Sequence, residues 1–283
     1  MTTILYLTDL YYKAKGRKYY EEDLVITSKL KEHFNILIGN PQQAISHLNY
    51  ADIVIFRNTG VVMDFSDYFQ KFLREVSNNN ILTFNSFDGK ADIRGKEYLL
   101  NLTNIGFPVI PTIDKLSDLS ELGNPEKYLT KIKNGADSIG MEILSKEELL
   151  DAELKNKLIQ PYLDFEYEIS FYYLNNEFQY ALYAPDKNKR WELKEIEASL
   201  EDIKFADKFI AWNNIQHGIT RVDACRLRDN SLLLVELEDL NPFLSIELLS
   251  EQKQEEFISK LIKTFKTLKK TVPSRVDGST SCN

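Results

Sequence analysis

The chain has 283 residues, with 35 Lys and Arg against 43 Asp and Glu, which gives a formal net charge of −8 at pH 7. Hydrophobic residues make up 43% of the sequence and aromatic residues 12%, which is enough apolar surface for a packed core and excludes a disordered or collagen-like chain. The acidic balance argues against non-specific duplex binding, which depends on clustered Lys and Arg, so we expect no nucleic-acid partner.

The cysteine content and the first residues bear on the compartment. Cys225 and Cys282 are too few for a disulfide scaffold or a cysteine-based zinc site, which favours a reducing environment. The opening residues, MTTILYLTDLYY, lack a basic stretch followed by a long apolar run, and no segment approaches the ~20 apolar residues of a membrane helix. We therefore expect a cytoplasmic protein with no membrane partner.

The first segment of the chain has a β-α-β pattern. Apolar runs predict strands at 3–8, 34–38 and 52–56, and apolar residues at near-helical spacing predict a helix over 21–34. The third strand leads directly into Arg57. Ligands of open α/β sheets collect at the carboxyl ends of strands, so this Arg is a candidate anchor for a substrate carboxylate, with a surface Arg that caps a strand as the alternative.

Short helices and strands alternate along the rest of the chain. In chain order, the patterns predict a helix over 96–104, strands over 128–132 and 158–163 with a helix around 145–156 between them, a longer sheet over 166–183, and helices over 197–213 and 253–270. The elements divide into an N-terminal α/β lobe over 1–87, a second lobe over 88–165, a third lobe over 166–272 and a flexible tail over 273–283.

A predicted hairpin near the end of the chain carries several charged residues. Two β-rich runs flank an Asp-Asn pair at 229–230 in the stretch ITRVDACRLRDNSLLLVELEDLN, and both residue types tolerate the positive φ of a tight turn. With this turn, Val222 faces Leu237 and Ala224 faces Val235. A slip of one residue would set apolar residues against carboxylates, so we prefer the first register.

The same register brings carboxylates together on the other face of the hairpin, with Asp223 opposite Glu236 and Arg221 opposite Glu238. Like charges directly opposite each other destabilise a sheet, so a counter-cation is expected. Adding the side-chain oxygen of Asn241 gives an all-oxygen donor set, which favours one or two Mg²⁺ ions, with Mn²⁺ as an alternative, over Zn²⁺. The competing interpretation is a solvated sheet face whose acids are neutralised by nearby arginines.

Four segments occur in a distinctive order over roughly residues 90–248. They are Lys96 with the downstream run YLLNLTNIGFPVIPT, the stretch KIKNGADSIGM that includes Lys131, the run LIQPYL followed by Glu166 and Glu168, and the hairpin RVDACR…LLLVELEDLNP. Together they resemble the nucleotide and metal elements of ATP-grasp carboxylate-amine ligases, such as D-alanine:D-alanine ligases and glutathione synthetase-like enzymes. The glycine-rich loop is sparser here than in those ligases.

The resemblance implies an α/β protein with the ATP-grasp fold, preceded by an open α/β lobe, and ATP and Mg²⁺ as cofactors. Lys96 and Lys131 would then bind the α- and β-phosphates, with Lys133 as the alternative to Lys131. The loop that would close over the γ-phosphate contains Ser138, Ile139 and Gly140. The segment that would bind the adenine edge contains Gln160, Pro161, Tyr162 and Leu163. Glu168 would accept ribose hydroxyls, and Glu166 is the weaker alternative.

The resemblance also implies catalytic roles. Arg221 would stabilise the charge that develops during transfer, and Arg190 in the charged stretch DKNKRWE would lie near the γ-phosphate and the acyl group. The metal ligands would be Asp223, Glu236, Glu238 and Asn241, and whether Glu236 or Glu238 bridges the metals stays open because the ligases usually have Glu-x-Asn where this chain has ELEDLNP.

The implied activity is ATP-dependent ligation, in which a carboxylate is activated as an acyl phosphate and coupled to an amine, with release of ADP and phosphate. The expected partners are small-molecule or peptide carboxylate and amine substrates, and a homodimer is allowed. Two alternatives are kept: an ATP-grasp kinase that stops at phosphoryl transfer, and a nucleotide-binding protein without turnover.

Overall fold

The computed structural model of the protein describes residues 1–12, 18–58, 62–134, 140–187 and 189–270. Two of the predicted phosphate-loop residues, Ser138 and Ile139, lie outside these ranges, as does the predicted tail over 273–283. Within the ranges, no helix is both long enough and apolar enough to cross a membrane.

A parallel four-stranded sheet forms the N-terminal part of the molecule, in the order β2-β1-β3-β4. Its elements are β1 (Thr3–Leu7), α1 (Tyr20–Leu30), β2 (Asn35–Gly39), β3 (Ile53–Phe56), α2 (Ser66–Asn78) and β4 (Leu82–Phe84). The predicted β-α-β opening is therefore confirmed. The sequence analysis missed α2, although Phe69, Phe72 and Val76 recur at helical spacing and are buried.

The middle of the chain forms a three-stranded antiparallel sheet in the order β6-β5-β7. Its elements are α3 (Tyr98–Asn104), β5 (Tyr128–Ile132), β6 (Glu142–Leu144), α4 (Lys146–Asp151) and β7 (Lys157–Pro161). Helix α3 ends as predicted, because Gly106 takes a φ of 73° and Pro108 follows it. A Ser145–Glu148 capping box fixes the start of α4.

The last part of the chain is a five-stranded antiparallel sheet in the order β10-β9-β8-β11-β12. Its elements are β8 (Tyr167–Leu174), β9 (Glu177–Ala184), β10 (Lys194–Ile196), α5 (Leu200–Asn213), β11 (Ile219–Arg226), β12 (Leu232–Glu238) and the closing helix α6 (Glu251–Lys270). Each of the three sheets falls within one of the three expected lobes, and the lobe boundaries themselves stay a prediction.

Two hydrophobic cores lie on opposite faces of the five-stranded sheet. On one face, residues of β8 and β9 share a core with α6 and with the N-terminal sheet, including Tyr172, Phe257 and Ile53. On the other face, Phe171 and Val222 share a core with α3 and α5. The central sheet is therefore the common layer that fixes the other two parts of the molecule relative to each other.

The hairpin of β11 and β12 has the predicted register where the carboxylates lie. The confirmed pairs are Arg221 with Glu238, Val222 with Leu237, and Asp223 with Glu236. In these pairs Val222 and Leu237 are buried, whereas the charged residues are half-buried, as the predicted division into two faces requires.

Nearer the turn, the predicted register is wrong. A β-bulge shifts the pairing, so Ala224 lies opposite Leu234 and not opposite Val235. The turn consists of residues 228–230, not the pair at 229–230. A longer turn and an extra residue in β12 compensate each other, which is why the register is restored at the carboxylates.

Candidate functional site

A cavity of about 310 Å³ lies between the three-stranded sheet and the five-stranded sheet. The predicted catalytic residue Arg190 and the predicted metal ligand Glu236 line it. So do six residues predicted to bind the nucleotide, namely Lys96, Lys131, Pro161, Tyr162, Leu163 and Glu168. Apolar side chains, among them Ile110, Leu129 and Met141, supply the rest of the wall. Apolar walls with a few convergent charged groups are typical of small-molecule sites.

Lys131 on β5 is buried, with 7% of its surface exposed. Burial, together with the nearby positive charges of Lys96 and Arg190, lowers the pKa of its ammonium group to about 7. An anion placed in the cavity would favour the charged form of Lys131. The protonation of Lys131 should therefore increase when a negatively charged ligand binds beside it.

The alternative candidate, Lys133, is directed elsewhere. Its Nζ donates to Glu97 Oε1 at 2.7 Å and to Asp114 Oδ2 at 2.8 Å, and it does not line the cavity. These hydrogen bonds, the one to Asp114 first, raise the pKa of the Lys133 ammonium group. Of the two lysines, the structure brings Lys131 to the cavity.

Lys96 is buried and precedes α3. Its backbone N–H donates to Lys133 O at 2.7 Å, which fixes it beside the end of β5, and its ammonium group forms an ion pair with Glu236. Gly95 permits this close approach, because it takes a φ of 84° and a Cβ there would collide with Asn134 Oδ1. The contact brings a cation from the second lobe onto a carboxylate of β12.

Gly140 belongs to the predicted phosphate loop and directly follows residues 135–139, which lie outside the described ranges. It takes a φ of 70°, and a Cβ at this position would collide with the Ile132 side chain of β5. Only glycine combines that conformation with that contact at low cost.

The predicted adenine segment divides between two environments. Pro161, Tyr162 and Leu163 line the cavity, whereas the Gln160 side chain is fully buried and donates to Thr112 Oγ1 at 2.8 Å. The Gln160 Oε1 atom has no hydrogen-bond partner among the described residues. Tyr162 N donates to Lys127 O at 2.9 Å, so this amide supports the three-stranded sheet.

Of the two carboxylates predicted as ribose ligands, Glu168 on β8 lines the cavity, whereas Glu166 is exposed. The Nε atom of Arg190 lies 2.6 Å from Glu168 Oε2. Burial raises the pKa of the Glu168 carboxyl, and Arg190 opposes that shift. Arg190 therefore lines the cavity beside Glu168, and its place near the γ-phosphate and the acyl group stays a prediction.

Arg221 on β11 is the centre of the carboxylate cluster. Its Nε atom donates to Asp223 Oδ1 at 2.9 Å, its Nη2 atom donates to Asp223 Oδ2 at 2.9 Å, and Nη2 also lies 2.5 Å from Glu238 Oε1. Ser170 Oγ donates to Asp223 Oδ1 at 2.6 Å. Burial raises the pKa of the Glu238 carboxyl to about 7, with Arg221 opposing and Asp223 reinforcing the shift.

Asp92 is a fourth carboxylate in this region, and the sequence analysis missed it. Burial raises the pKa of Asp92, opposed by Lys96 and Arg221 and reinforced by Asp223. Asp92 belongs to a short helical turn, whose position depends on Asp239 through hydrogen bonds from Ala91 N at 3.1 Å and Ile93 N at 2.9 Å. A turn of this length has no periodicity from which the position of Asp92 could be predicted.

The donor chemistry of the predicted ligands suits Mg²⁺, because they are carboxylate oxygens and the side-chain oxygen of Asn241. Within the described ranges, however, no group of three or more His, Cys, Asp and Glu side chains is arranged to hold a metal ion. Mg²⁺ is commonly held by one or two carboxylates together with substrate phosphates, so a preformed cage is not required. The residues present therefore fit a metal that binds with its nucleotide.

Arg57 is not placed for the expected contact with a substrate carboxylate. Its side chain is buried, and its Nη2 atom lies 3.0 Å from Glu22 Oε1 while Nη1 donates to Pro242 O at 2.7 Å. Both ends of the guanidinium thus contact protein groups. The strand-end position was correctly identified, but the sequence could not show that α1 supplies a buried acid for it.

The architecture is that of the ATP-grasp fold: an open α/β sheet is followed by a three-stranded and a five-stranded antiparallel sheet with a cavity between them. No protein-family model matches the chain, and no curated protein matches it.

Solved structures match it over nearly its whole length. D-cycloserine synthetase DcsG has 15% identity and a TM-score of 0.71, covering 93% of this chain and 99% of that one. D-alanine–D-alanine ligase from Bacillus anthracis complexed with ATP has 13% identity and a TM-score of 0.65, covering 96% and 100%. The ATP-grasp ligase PsnB complexed with a phosphomimetic variant of its minimal precursor, Mg and ADP has 12% identity and a TM-score of 0.59, covering 95% and 99%. At these identities, the likeness establishes the fold.

Proposed function

We propose that the protein is an ATP-dependent carboxylate-amine ligase that releases ADP and phosphate. The observation that carries the proposal is the convergence of Lys96, Lys131 and Glu168 with Glu236 in one cavity, next to the Arg221 cluster. Similar folds occur in ligases described with ATP or with Mg and ADP. The two substrates are a carboxylate and an amine, as small molecules or as parts of a peptide.

The nucleotide occupies the cavity in this proposal. Pro161, Tyr162 and Leu163 flank the adenine, Glu168 accepts hydrogen bonds from the ribose hydroxyls, and Lys96 and Lys131 contact the phosphates. Lys96 would exchange its contact with Glu236 for one with phosphate, which frees that carboxylate for a metal ion. The positive charges lower the cost of bringing a polyanion into a partly apolar site.

Asp223, Glu236, Glu238 and Asn241 are the proposed holders of Mg²⁺. When bound, the ion neutralises charge on the β- and γ-phosphate oxygens. Arg221 lies between Asp223 and Glu238, and its guanidinium is held in place by both. From this position Arg221 stabilises the negative charge that develops on the oxygens of the transferring phosphoryl group and on the acyl oxygen.

Two steps account for the products. An oxygen of the substrate carboxylate attacks the γ-phosphorus, the bond from that phosphorus to the bridging oxygen breaks, and ADP leaves. The amine nitrogen then attacks the acyl carbon of the acyl phosphate, the carbon–oxygen bond to phosphate breaks, and the amine loses a proton. Such transfers depend mainly on positioning and charge neutralisation, which is what the described side chains provide.

A hydroxylamine trap tests this proposal without knowledge of the amine. The protein is incubated with MgATP, hydroxylamine and a panel of amino acids and short peptides, and hydroxamate, ADP and phosphate are measured. A ligase gives hydroxamate, ADP and phosphate in equal amounts, and only with an accepted carboxylate. A kinase gives ADP and a stable phosphorylated product without phosphate, and a protein without turnover gives none of these although it binds ATP.

Matched lysine variants provide the control. Lys131→Met should weaken ATP binding and lower hydroxamate formation, because it removes a cation from the cavity wall. Lys133→Met removes a cation only two positions away, whose partners are Glu97 and Asp114, and should leave both nearly unchanged. Equal losses in the two variants would contradict the placement of the nucleotide.

A further inference from the structure

The segment after β12 is held in place by side chains from other parts of the molecule. Pro242 O accepts from Arg57 Nη1 at 2.7 Å, and Phe243 O accepts from Arg221 Nη1 at 3.1 Å. Leu244 O accepts from Tyr180 Oη at 2.8 Å. The carbonyl groups of these three consecutive residues thus accept hydrogen bonds from side chains and not from the backbone of a strand or helix.

Glu22 holds the amide groups of the same segment. Its Oε1 atom accepts from Leu244 N at 3.1 Å, and its Oε2 atom accepts from Ile246 N at 3.3 Å. Oε1 also lies 3.0 Å from Arg57 Nη2. One buried ion pair, formed by α1 and the end of β3, therefore contacts both sides of the segment that begins directly after Asn241.

Burying a carboxylate and a guanidinium group is costly unless they have hydrogen-bond partners, and here several of these partners are backbone atoms of residues 242–246. Burial leaves only 5% of the surface of both Glu22 and Arg57 exposed. Within the N-terminal lobe Arg57 has a second acidic neighbour, since its Nε lies 3.7 Å from Asp23 Oδ1. The hydrogen bonds that Glu22 and Arg57 make to residues 242–246 fix the backbone between the end of β12 and the helical turn Ile246–Leu248.

We propose that Glu22 and Arg57 are positioning residues for the metal site: they hold the backbone after Asn241 so that Asn241 and Arg221 keep the geometry needed to bind Mg²⁺ with the nucleotide. This inference rests on the proposed function. It gives Arg57 a role through the backbone in place of direct contact with substrate. Groups that orient metal ligands commonly change metal affinity by about 10- to 100-fold when they are mutated.

The test uses Arg57→Lys, which keeps the charge but cannot hold Glu22 and Pro242 O with two separate arms. The affinity for ADP is measured by calorimetry in the full-length protein, first with EDTA and then over a series of Mg²⁺ concentrations. We expect the affinity without Mg²⁺ to be unchanged. The Mg²⁺ concentration that gives half of the Mg²⁺-dependent gain in affinity should rise about 10-fold.

Arg226→Lys is the matched control. Arg226 is also buried and pairs with Asp202 at 2.7 Å, but this pair joins α5 to β11 away from the segment after Asn241. Both variants should lower the melting temperature, and only Arg57→Lys should shift the Mg²⁺ requirement. A general loss of stability would not leave the ADP affinity in EDTA unchanged while raising the Mg²⁺ concentration that is required.

The outcomes distinguish the two proposals. If wild-type protein binds ADP with no dependence on Mg²⁺, the proposed metal-assisted function is wrong. If wild-type protein shows that dependence and Arg57→Lys shows the same one, the positioning role is overturned and the proposed function stands. Should Arg57→Lys fail to fold, Glu22→Asp, which keeps the charge but withdraws the carboxylate from the backbone amides, is subjected to the same criterion.

Discussion

The pKa of Lys131 leads to a sharp test of where the phosphates bind. With a pKa of about 7, roughly one tenth of the Lys131 side chains carry a proton at pH 8 in the free protein. A phosphate beside the side chain favours the charged form, so binding should raise the pKa and take up a proton. At pH 8 we expect an uptake of about 0.9 proton per nucleotide bound.

The sign of the pH effect follows from the same shift. Above pH 7 the free protein must gain a proton to bind, so nucleotide affinity should fall with rising pH, by up to about 1.4 kcal/mol or tenfold per unit. Below pH 7 the free protein already carries the proton and the dependence should level off. The fall ends where the pKa of Lys131 in the complex is reached.

Calorimetry of MgADP binding at pH 8, in buffers with different ionisation enthalpies, measures the uptake directly. Lys131→Arg keeps the charge at all these pH values and should bind without proton uptake. Lys133→Met should behave as wild type, because Lys133 contacts Glu97 and Asp114 outside the cavity. Tight binding by wild-type protein with no proton uptake at pH 8 would refute the placement of phosphate beside Lys131.

Three further substitutions test the cluster beside the cavity. Asp223→Asn should abolish hydroxamate formation. The melting temperature should stay near that of wild type, because the change removes one of several crowded negative charges. Wild-type rates of hydroxamate formation would contradict the metal assignment. Glu236→Gln should likewise abolish turnover, measured as ADP release, and retention of full activity would exclude Glu236 as a ligand. Asp239→Asn should lower the free energy of unfolding in urea by about 1–3 kcal/mol, because the carboxylate accepts hydrogen bonds from two backbone amides and an amide group can accept at only one of its two ends. A change below about 0.5 kcal/mol would show that the turn around Asp92 does not depend on Asp239.

The carboxylate hairpin shows how far a sequence pattern reaches. The pairing of Asp223 with Glu236 could be predicted because one register alone matches apolar with apolar residues on the buried face. The bulge could not, because Leu234 and Val235 are both apolar and either can face Ala224 without loss in the pattern. The alternation of apolar and charged residues therefore predicted which carboxylates face each other, but it did not determine the length of the turn.

Long-range partners account for the residues that were placed less well. Lys131 and Lys133 share a strand face in the pattern, and only the positions of Glu97 and Asp114 separate their roles. The same is true of Arg57, whose partner Glu22 is one of several acids in the first turn of α1. A sequence without aligned relatives carries no signal for such contacts between distant elements.

The charges at the junction of cavity and hairpin explain why a divalent cation belongs to the proposed reaction. Among the described residues, the carboxylates of Asp92, Asp223 and Glu238 interact with one another and with Lys96 and Arg221. A fourth carboxylate, Glu236, lies opposite Asp223 and pairs with Lys96. Lys131 adds less than a full charge, because its pKa is about 7. A nucleotide would bring further negative charge into this excess, and repulsion at such distances is costly in a partly buried site. In the proposed reaction, Mg²⁺ that enters with the phosphates would offset this negative charge and be coordinated by carboxylate oxygens.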